Sequence, residues 1–395
     1  MLNYFFMIYF VVYIYLLLMV IRYDVLGKKQ GFLWNYIFLF LVLTFVAGFR
    51  YRLGTDTIGY FYSFNYDTLP LSYLKMEDVF QSKNQPFWVI LCSFCKSFGN
   101  FVLLQVLVSL LSNSSIFYFV FKVSKKPFTV ILIYYLLNYI YFSMEILRES
   151  LAIGCFLFAI IQMNRKRYLN SYMWMISAFM FHFYALFLLF IPICMYRNVS
   201  FKKISILVFV IFLCMIFKED VIGSLVAILP LDISYKLLQY SQSEFYMESE
   251  VNIIGVFFKF ILPSCFVVLF LFFYKHREHD IILLRENIWK PLILLYLVFL
   301  FTTTKMPITE RFSNYFFLIA ALLFASCFYL FPFTNRSKIL LISVVSVLIL
   351  AYQVNVMTKI DPLVGVPNYA RYYPYSSVFD KNESEERKIY NNYWH

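Results

Sequence analysis

What most constrains this chain is a series of long apolar runs separated by short basic connections. A helix that crosses a bilayer needs about 20 mostly apolar residues, each rising ~1.5 Å. The runs 3–21, 32–49, 101–121, 127–144, 146–163, 201–217, 253–274, 288–304, 312–332 and 338–356 come close to or reach that length. Composition agrees: 62% of the residues are hydrophobic and 14% charged, against roughly 25% charged in an ordinary soluble domain. A soluble fold could not hide this much apolar surface. The pattern therefore predicts an all-α polytopic integral membrane protein with lipid as its main solvent. The first run has no basic residue before it and no small-residue cleavage site, and Arg22 follows it, so it reads as a retained anchor.

Two segments do not thread simply. The run 86–98 is too short to cross, and 168–195 is too long for one helix and too short for two ordinary ones. Charge decides both. If 86–98 is re-entrant in the outer leaflet and 168–195 is a short hairpin turning near His182, the basic connections fall on one side. These are Arg22/Lys28/Lys29, Lys122/Lys125/Lys126, Arg165/Lys166/Arg167, Arg197/Lys202/Lys203, Lys275/Arg277/Arg285/Lys290 and Arg336/Lys338. That side is cytoplasmic by the positive-inside bias. The net charge of +12 is then a topology signal and not a nucleic-acid surface. The connection 218–252 falls outside, where Lys218 and Lys236 stand against Glu219, Asp220, Asp232, Glu244, Glu248 and Glu250. The expected organisation is ten full spans within a membrane domain, 1–356, followed by a polar C-terminal tail, 357–395. Seven cysteines lie in apolar stretches; Cys92-x-x-Cys95 lacks a thioredoxin-like context and reads as a pair of buried, inert thiols.

Several charged residues on the outer side are left over by this threading, and a charge at membrane depth costs at least ~2.5 kcal/mol. Arg50 and Arg52 follow the second span; on an extended strand they point the same way. Gly54 permits a tight bend, Asp56 is placed to cap a short helix, and Tyr60 lies on its next turn. Arg148 stands three residues after Glu145, so a structural ion pair competes with a binding role. Lys305, Glu310 and Arg311 surround Pro307 at a later outer connection. His182 sits among aromatics at the proposed hairpin turn, where packing and acid–base chemistry are both open. Arginine offers a planar fork to phosphate oxygens. Five cations on one face suit a ligand with an anionic head and a lipid tail, such as a polyprenyl diphosphate.

At these residues the sequence resembles the EpsG/Wzy-type polysaccharide polymerases of bacterial envelopes. The resemblance rests on Arg50-x-Arg52-x-Gly54-Thr55-Asp56-x-x-x-Tyr60, Leu147-Arg148-Glu149-Ser150-Leu151-Ala152, Ala178-x-x-x-His182 and Glu310-Arg311-x-x-x-Tyr315. Thr57 stands where an aromatic is common, and Glu149 where Gln is expected. The resemblance implies a helical glycosyltransferase in the cytoplasmic (inner) membrane, using no cofactor or metal. It would polymerise polyprenyl-diphosphate-linked oligosaccharide repeat units at the outer face, alongside a chain-length regulator and a flippase. In that scheme Arg50, Arg52, Arg148 and Arg311 bind diphosphate, Asp56 and His182 compete as base, and Glu145, Tyr60, Lys305 and Glu310 support them. His182 is favoured as base because its pKa range suits general-base catalysis, with Asp56 positioning. The alternatives are a lipid-linked oligosaccharide flippase, whose charges should line both sides of a central cavity, and a ligase or single-sugar transferase, which product length separates from a polymerase.

Overall fold

A computed structural model of the chain describes residues 6–192, 264–266, 269–270, 282–303 and 309–394. The expected span 201–217, most of 253–274, the connection 218–252 and Lys305 lie outside the described residues. Helices dominate what is described: α1 (Phe6–Met19), α2 (Phe32–Gly48), α3 (Thr55–Tyr62), α4 (Met76–Gln81), α5 (Pro86–Phe98), α6 (Phe101–Val123), α7 (Pro127–Leu137), α8 (Leu147–Asn164), α9 (Tyr168–Phe181), α10 (Glu286–Thr302), α11 (Thr309–Leu330), α12 (Asn335–Thr358) and α13 (Glu385–Trp394). Five described segments are long and apolar enough to cross a membrane: Ile8–Val25, Phe101–Val123, Leu147–Asn164, Thr309–Leu330 and Asn335–Thr358. The apolar helices α2, α5 and α7 are shorter.

Helix ends follow local chemistry. Asn100 Oδ1 accepts from the Val102 N–H at 3.0 Å and starts α6, while Pro86 and Pro127 occupy first-turn positions in α5 and α7, where a missing N–H costs nothing. The expected span 127–144 is interrupted. Backbone at Asn138 leaves the helix, and a widened turn over Tyr141–Glu145 follows. This break brings Glu145 to the N-terminus of α3, a contact that hydropathy cannot see. The segment 168–195 is also divided: α9 stops at Phe181, His182 is extended, and a tight helical stretch runs from Phe183 to Phe190.

The chain forms two compact units, one comprising 1–189, 280–283 and 331–395 and the other 190–279 and 284–330. In the second, α10 and α11 pack together, with Phe299 stacked on Phe312 and Phe316 at 5.3 and 6.1 Å. In the first, α6 packs on α2 and α8, and α8 on α9. Gly154 permits the α6–α8 approach, because a Cβ there would lie 2.8 Å from Ser115 Oγ. The three-residue connection between α8 and α9 makes them antiparallel, and Phe158 stacks on Trp174 at 4.7 Å.

Basic connections gather at one end of this first unit. Asp24 Oδ2 accepts from Thr129 N and Oγ1 at 2.6 and 2.7 Å, and Lys126 Nζ donates to the Asp24 carbonyl. Leu283 N donates to Val123 O at 2.8 Å, and Asn164 Nδ2 to Leu283 O at 3.1 Å. At the other end lie residues 49–60, 144–149 and 182, joined by the C-terminal tail.

Candidate active site

Gly54 sets the geometry of the Arg50–Tyr60 motif. Its φ of +93° suits glycine, and a Cβ would meet the Met144 carbonyl at 2.7 Å. Gly54 is also the N-cap of α3 and has no side chain with which to cap it. Glu145 supplies the acceptor instead: Oε1 takes the Thr55 N–H and Oε2 the Asp56 N–H, both at 3.0 Å. Tyr372 OH donates to Oε1 at 2.5 Å. Asp56 is therefore not the cap expected from local sequence. It lies inside the first turn, exposed, with its own N–H consumed by Glu145.

The two arginines of the motif end in different surroundings. Arg52 takes φ +49°, so the stretch is not extended. Arg50 is fully buried. It donates to the carbonyls of Ala47 and, at 3.3 Å, Leu53, and to Thr57 Oγ1 at 3.3 Å. The Thr57 hydroxyl in turn donates a hydrogen bond to the Met144 carbonyl at 3.0 Å. Burial brings the Arg50 pKa down to about 10, with nearby Glu145 opposing the shift. Arg52, 41% exposed, pairs with Glu383 at 3.2 Å.

Arg148 does not pair with Glu145. Its Nη1 donates to Asn84 Oδ1 at 2.6 Å, its guanidinium lies 5.7 Å from the Tyr60 ring centroid, and its Nε has no hydrogen-bond partner among the described residues. The next residue, Glu149, is buried on the first turn of α8 with Oε2 3.9 Å from His182 Nε2. The antiparallel α8–α9 register brings them together. Beneath this corner, Leu147, Leu151, Trp88, Cys92, Cys95, Phe101 and Phe64 form an apolar cluster that Tyr60 and Phe181 join. A cavity of ≈ 380 Å³ opens beside Tyr60, Asp67, Asn84, Trp88 and Ser93.

Sequence reasoning missed the tail. Tyr372 OH binds Glu145, Tyr375 OH donates to Val46 O at 3.0 Å, and Arg371 O accepts from Gly54 N at 3.0 Å. Burial, with Glu145 adding to it, lifts the Tyr372 phenol well above its ordinary range and keeps it a donor. Arg387, also buried, donates to Ala370 O at 3.1 Å, Ser376 Oγ at 2.6 Å and the Pro374 carbonyl. The closely spaced tyrosines 369, 372, 373 and 375 were the available signal that this polar segment docks. Glu310 and Arg311 open α11 in the second unit; the first unit holds Arg50, Arg52, Asp56, Tyr60, Glu145, Arg148 and His182.

Fold and cluster together define a helical, membrane-embedded protein with a polar, cationic site at one end of a helix bundle. The EpsG family model matches residues 33–377, and the chain belongs to the EpsG family. Membership points to polysaccharide polymerisation, a glycosyltransferase-like reaction, as the general role. No curated protein and no solved structure matches the chain.

Proposed function

We propose that this protein polymerises lipid-diphosphate-linked oligosaccharide repeat units into a surface polysaccharide at the outer face of the cytoplasmic membrane. The observation that carries the reading is the buried His182–Glu149 pair at 3.9 Å, adjacent in sequence to Arg148 with its unpartnered Nε. It offers a base and an anion ligand at one corner. In the proposed reaction His182 takes the proton of an acceptor sugar hydroxyl, whose oxygen bonds to the anomeric carbon of the donor. The bond from that carbon to the diphosphate breaks, and the lipid diphosphate leaves with the electron pair. Arg50 and Arg52 beside the head group, and Arg148 at the reacting corner, offset its charge without need of a metal. The acceptor sugars fit the ≈ 380 Å³ cavity, where Tyr60 and Trp88 supply ring faces and Asp67 and Asn84 supply hydrogen-bonding groups. Asp56, exposed on the first turn of α3, orients the acceptor.

The topology in this reading is the ten-span threading with 86–98 re-entrant and 168–195 a hairpin in the outer leaflet. Separation of the basic connections from the Arg50–His182 cluster, at opposite ends of one unit, supports it. A flippase and a chain-length regulator are the pathway partners it calls for. Two experiments test the reading. Purified protein given a lipid-linked repeat unit should yield a ladder of products; a single addition would make it a transferase, and no product a non-enzyme. Single cysteines at 56 and 166 in a cysteine-free variant should label from outside and inside, respectively, with an impermeant thiol reagent. Labelling of intact cells at 166 would invert the topology.

A further inference from the structure

A second cavity, ≈ 780 Å³, lies on the other side of α3, bounded by the end of α2, the first turn of α6 and the tail segment 378–381. Its volume falls in the range of about 300–1,000 Å³ typical of small-molecule sites. Its lining divides into two chemistries. Arg50, Arg52 and the exposed Lys381 place three cations on it. Residues 100–103 bring the N-terminus of the 23-residue helix α6 to the same space, and a helix N-terminus favours an anion. Gln105, one turn further along α6, lines the cavity with its Nε2 buried and without a hydrogen-bond partner among the described residues. A ligand oxygen in the cavity would satisfy that donor.

The remaining wall is apolar. Phe379 stacks on Phe49 at 5.3 Å and on Phe45 of α2 at 6.2 Å, and Phe101 and Val106 of α6 stand in the same lining. A free inorganic anion has no use for such a wall, and a neutral lipid has none for the cations. An amphiphile with an anionic head satisfies both.

The tail is fixed where it meets this cavity. Tyr51 N donates to Ser376 O and Val378 N to Phe49 O, both at 2.9 Å, an antiparallel pairing across Arg50 and Ser377. That pairing sets Phe379 on the α2 aromatics and brings Lys381 Nζ to 5.9 Å from the Tyr51 ring centroid, beside Arg52. We propose that this cavity holds the diphosphate head and first isoprene units of the lipid carrier, and that the C-terminal tail completes it. Lys381 contributes a phosphate-binding cation, Phe379 a chain-binding face, and Gln105 a buried donor. The proposal rests on the polymerase reading above and adds residues that the family motifs do not include.

Binding to purified, nanodisc-embedded protein tests it, with farnesyl diphosphate, inorganic diphosphate and farnesol as probes. Farnesyl diphosphate should bind best, and more weakly at high salt because exposed charges are screened. Lys381→Ala should weaken it about tenfold, Lys381→Arg should restore most of the affinity, and neither should change farnesol binding. Phe379→Ala should weaken farnesyl diphosphate but leave inorganic diphosphate unchanged. Wild-type affinity in Lys381→Ala together with a loss in Arg52→Ala overturns the tail's role and leaves the cavity assignment standing. Wild-type affinity in both variants, while the wild-type protein still builds a ladder, overturns the cavity assignment and not the polymerase. Equal affinity for inorganic and farnesyl diphosphate, unaffected by Phe379→Ala, overturns the lipid assignment in favour of a free-phosphate site.

Discussion

Glu145 and Glu149 are one helical turn apart in sequence and both buried, yet they serve different ends. Glu145 has its oxygens engaged by two backbone N–H groups and a tyrosine hydroxyl. Its charge compensates the positive N-terminus of α3 and ties the α7–α8 connection to the tail. Glu149 faces an imidazole at 3.9 Å, too far for a hydrogen bond and close enough for electrostatics. The arginines divide the same way. Arg50 spends its donors on Ala47, Leu53 and Thr57, whereas Arg148 keeps an unpartnered Nε. Residue type and motif membership therefore do not decide role here. For the arginines, what decides it is how many donors the fold has already used.

The comparison breaks most visibly at His182. His182→Gln should leave protein in the membrane at wild-type levels and lower polymerisation of a purified lipid-linked repeat unit by about 10²–10⁴-fold, the usual worth of a general base. The acidic limb of the wild-type rate–pH profile should vanish from any residual rate. Normal polymerisation in His182→Gln with none in Asp56→Asn would move the base to Asp56. Next comes Arg148→Ala, for which a loss of about 10²–10³-fold is expected, the typical effect of removing a donor that stabilises developing charge. Arg148→Lys should recover little, because a point charge loses the planar fork. Since Arg148 does not pair with Glu145, Arg148→Ala and Glu145→Ala should not resemble each other.

Glu145→Gln sharpens the other side of the comparison. The amide retains one acceptor oxygen but presents an NH₂ group to the other backbone donor, leaving one partly buried N–H unsatisfied at about 1–3 kcal/mol. The expected result is reduced accumulation and a lower unfolding temperature in detergent, with residual activity proportional to the folded protein. A well-folded but inactive Glu145→Gln would place this carboxylate in the chemistry.

Much of the fold could be read from hydropathy. The runs 101–121, 146–163, 312–332 and 338–356 appear as α6, α8, α11 and α12 with ends shifted by a few residues, because a helix of that length needs no long-range partner to reveal itself. The break after Leu137 could not be read, since the chain stays apolar through Met144 and the break serves a contact with Thr55 about ninety residues away. The capping of α3 misled for the same reason. Local sequence offers Asp56, while the cap comes from Glu145 through the tertiary fold. Arg50, Arg52 and Arg148 were legible as misplaced charges, but their division of labour depends on carbonyls and on Asn84, which carry no sequence signal. The Glu149–His182 pair was within reach: the two residues lie at nearly equal distances on either side of the 165–167 turn, so an antiparallel hairpin aligns them.

The smallest effect tests the finest point. Glu149 stands where the family motif leads one to expect Gln, so Glu149→Gln should fold and accumulate normally. If Glu149 acts only by orienting the imidazole it faces at 3.9 Å, the polymerisation rate should fall by less than tenfold, because the amide keeps the shape of the side chain and His182 is still in place. An unchanged rate would show that the carboxylate has no part in holding the base. Loss of polymer as complete as in His182→Gln would show Glu149 to be part of the proton transfer itself. Loss of accumulation would join it to Glu145 as a structural carboxylate, and the distinction between the two would fall.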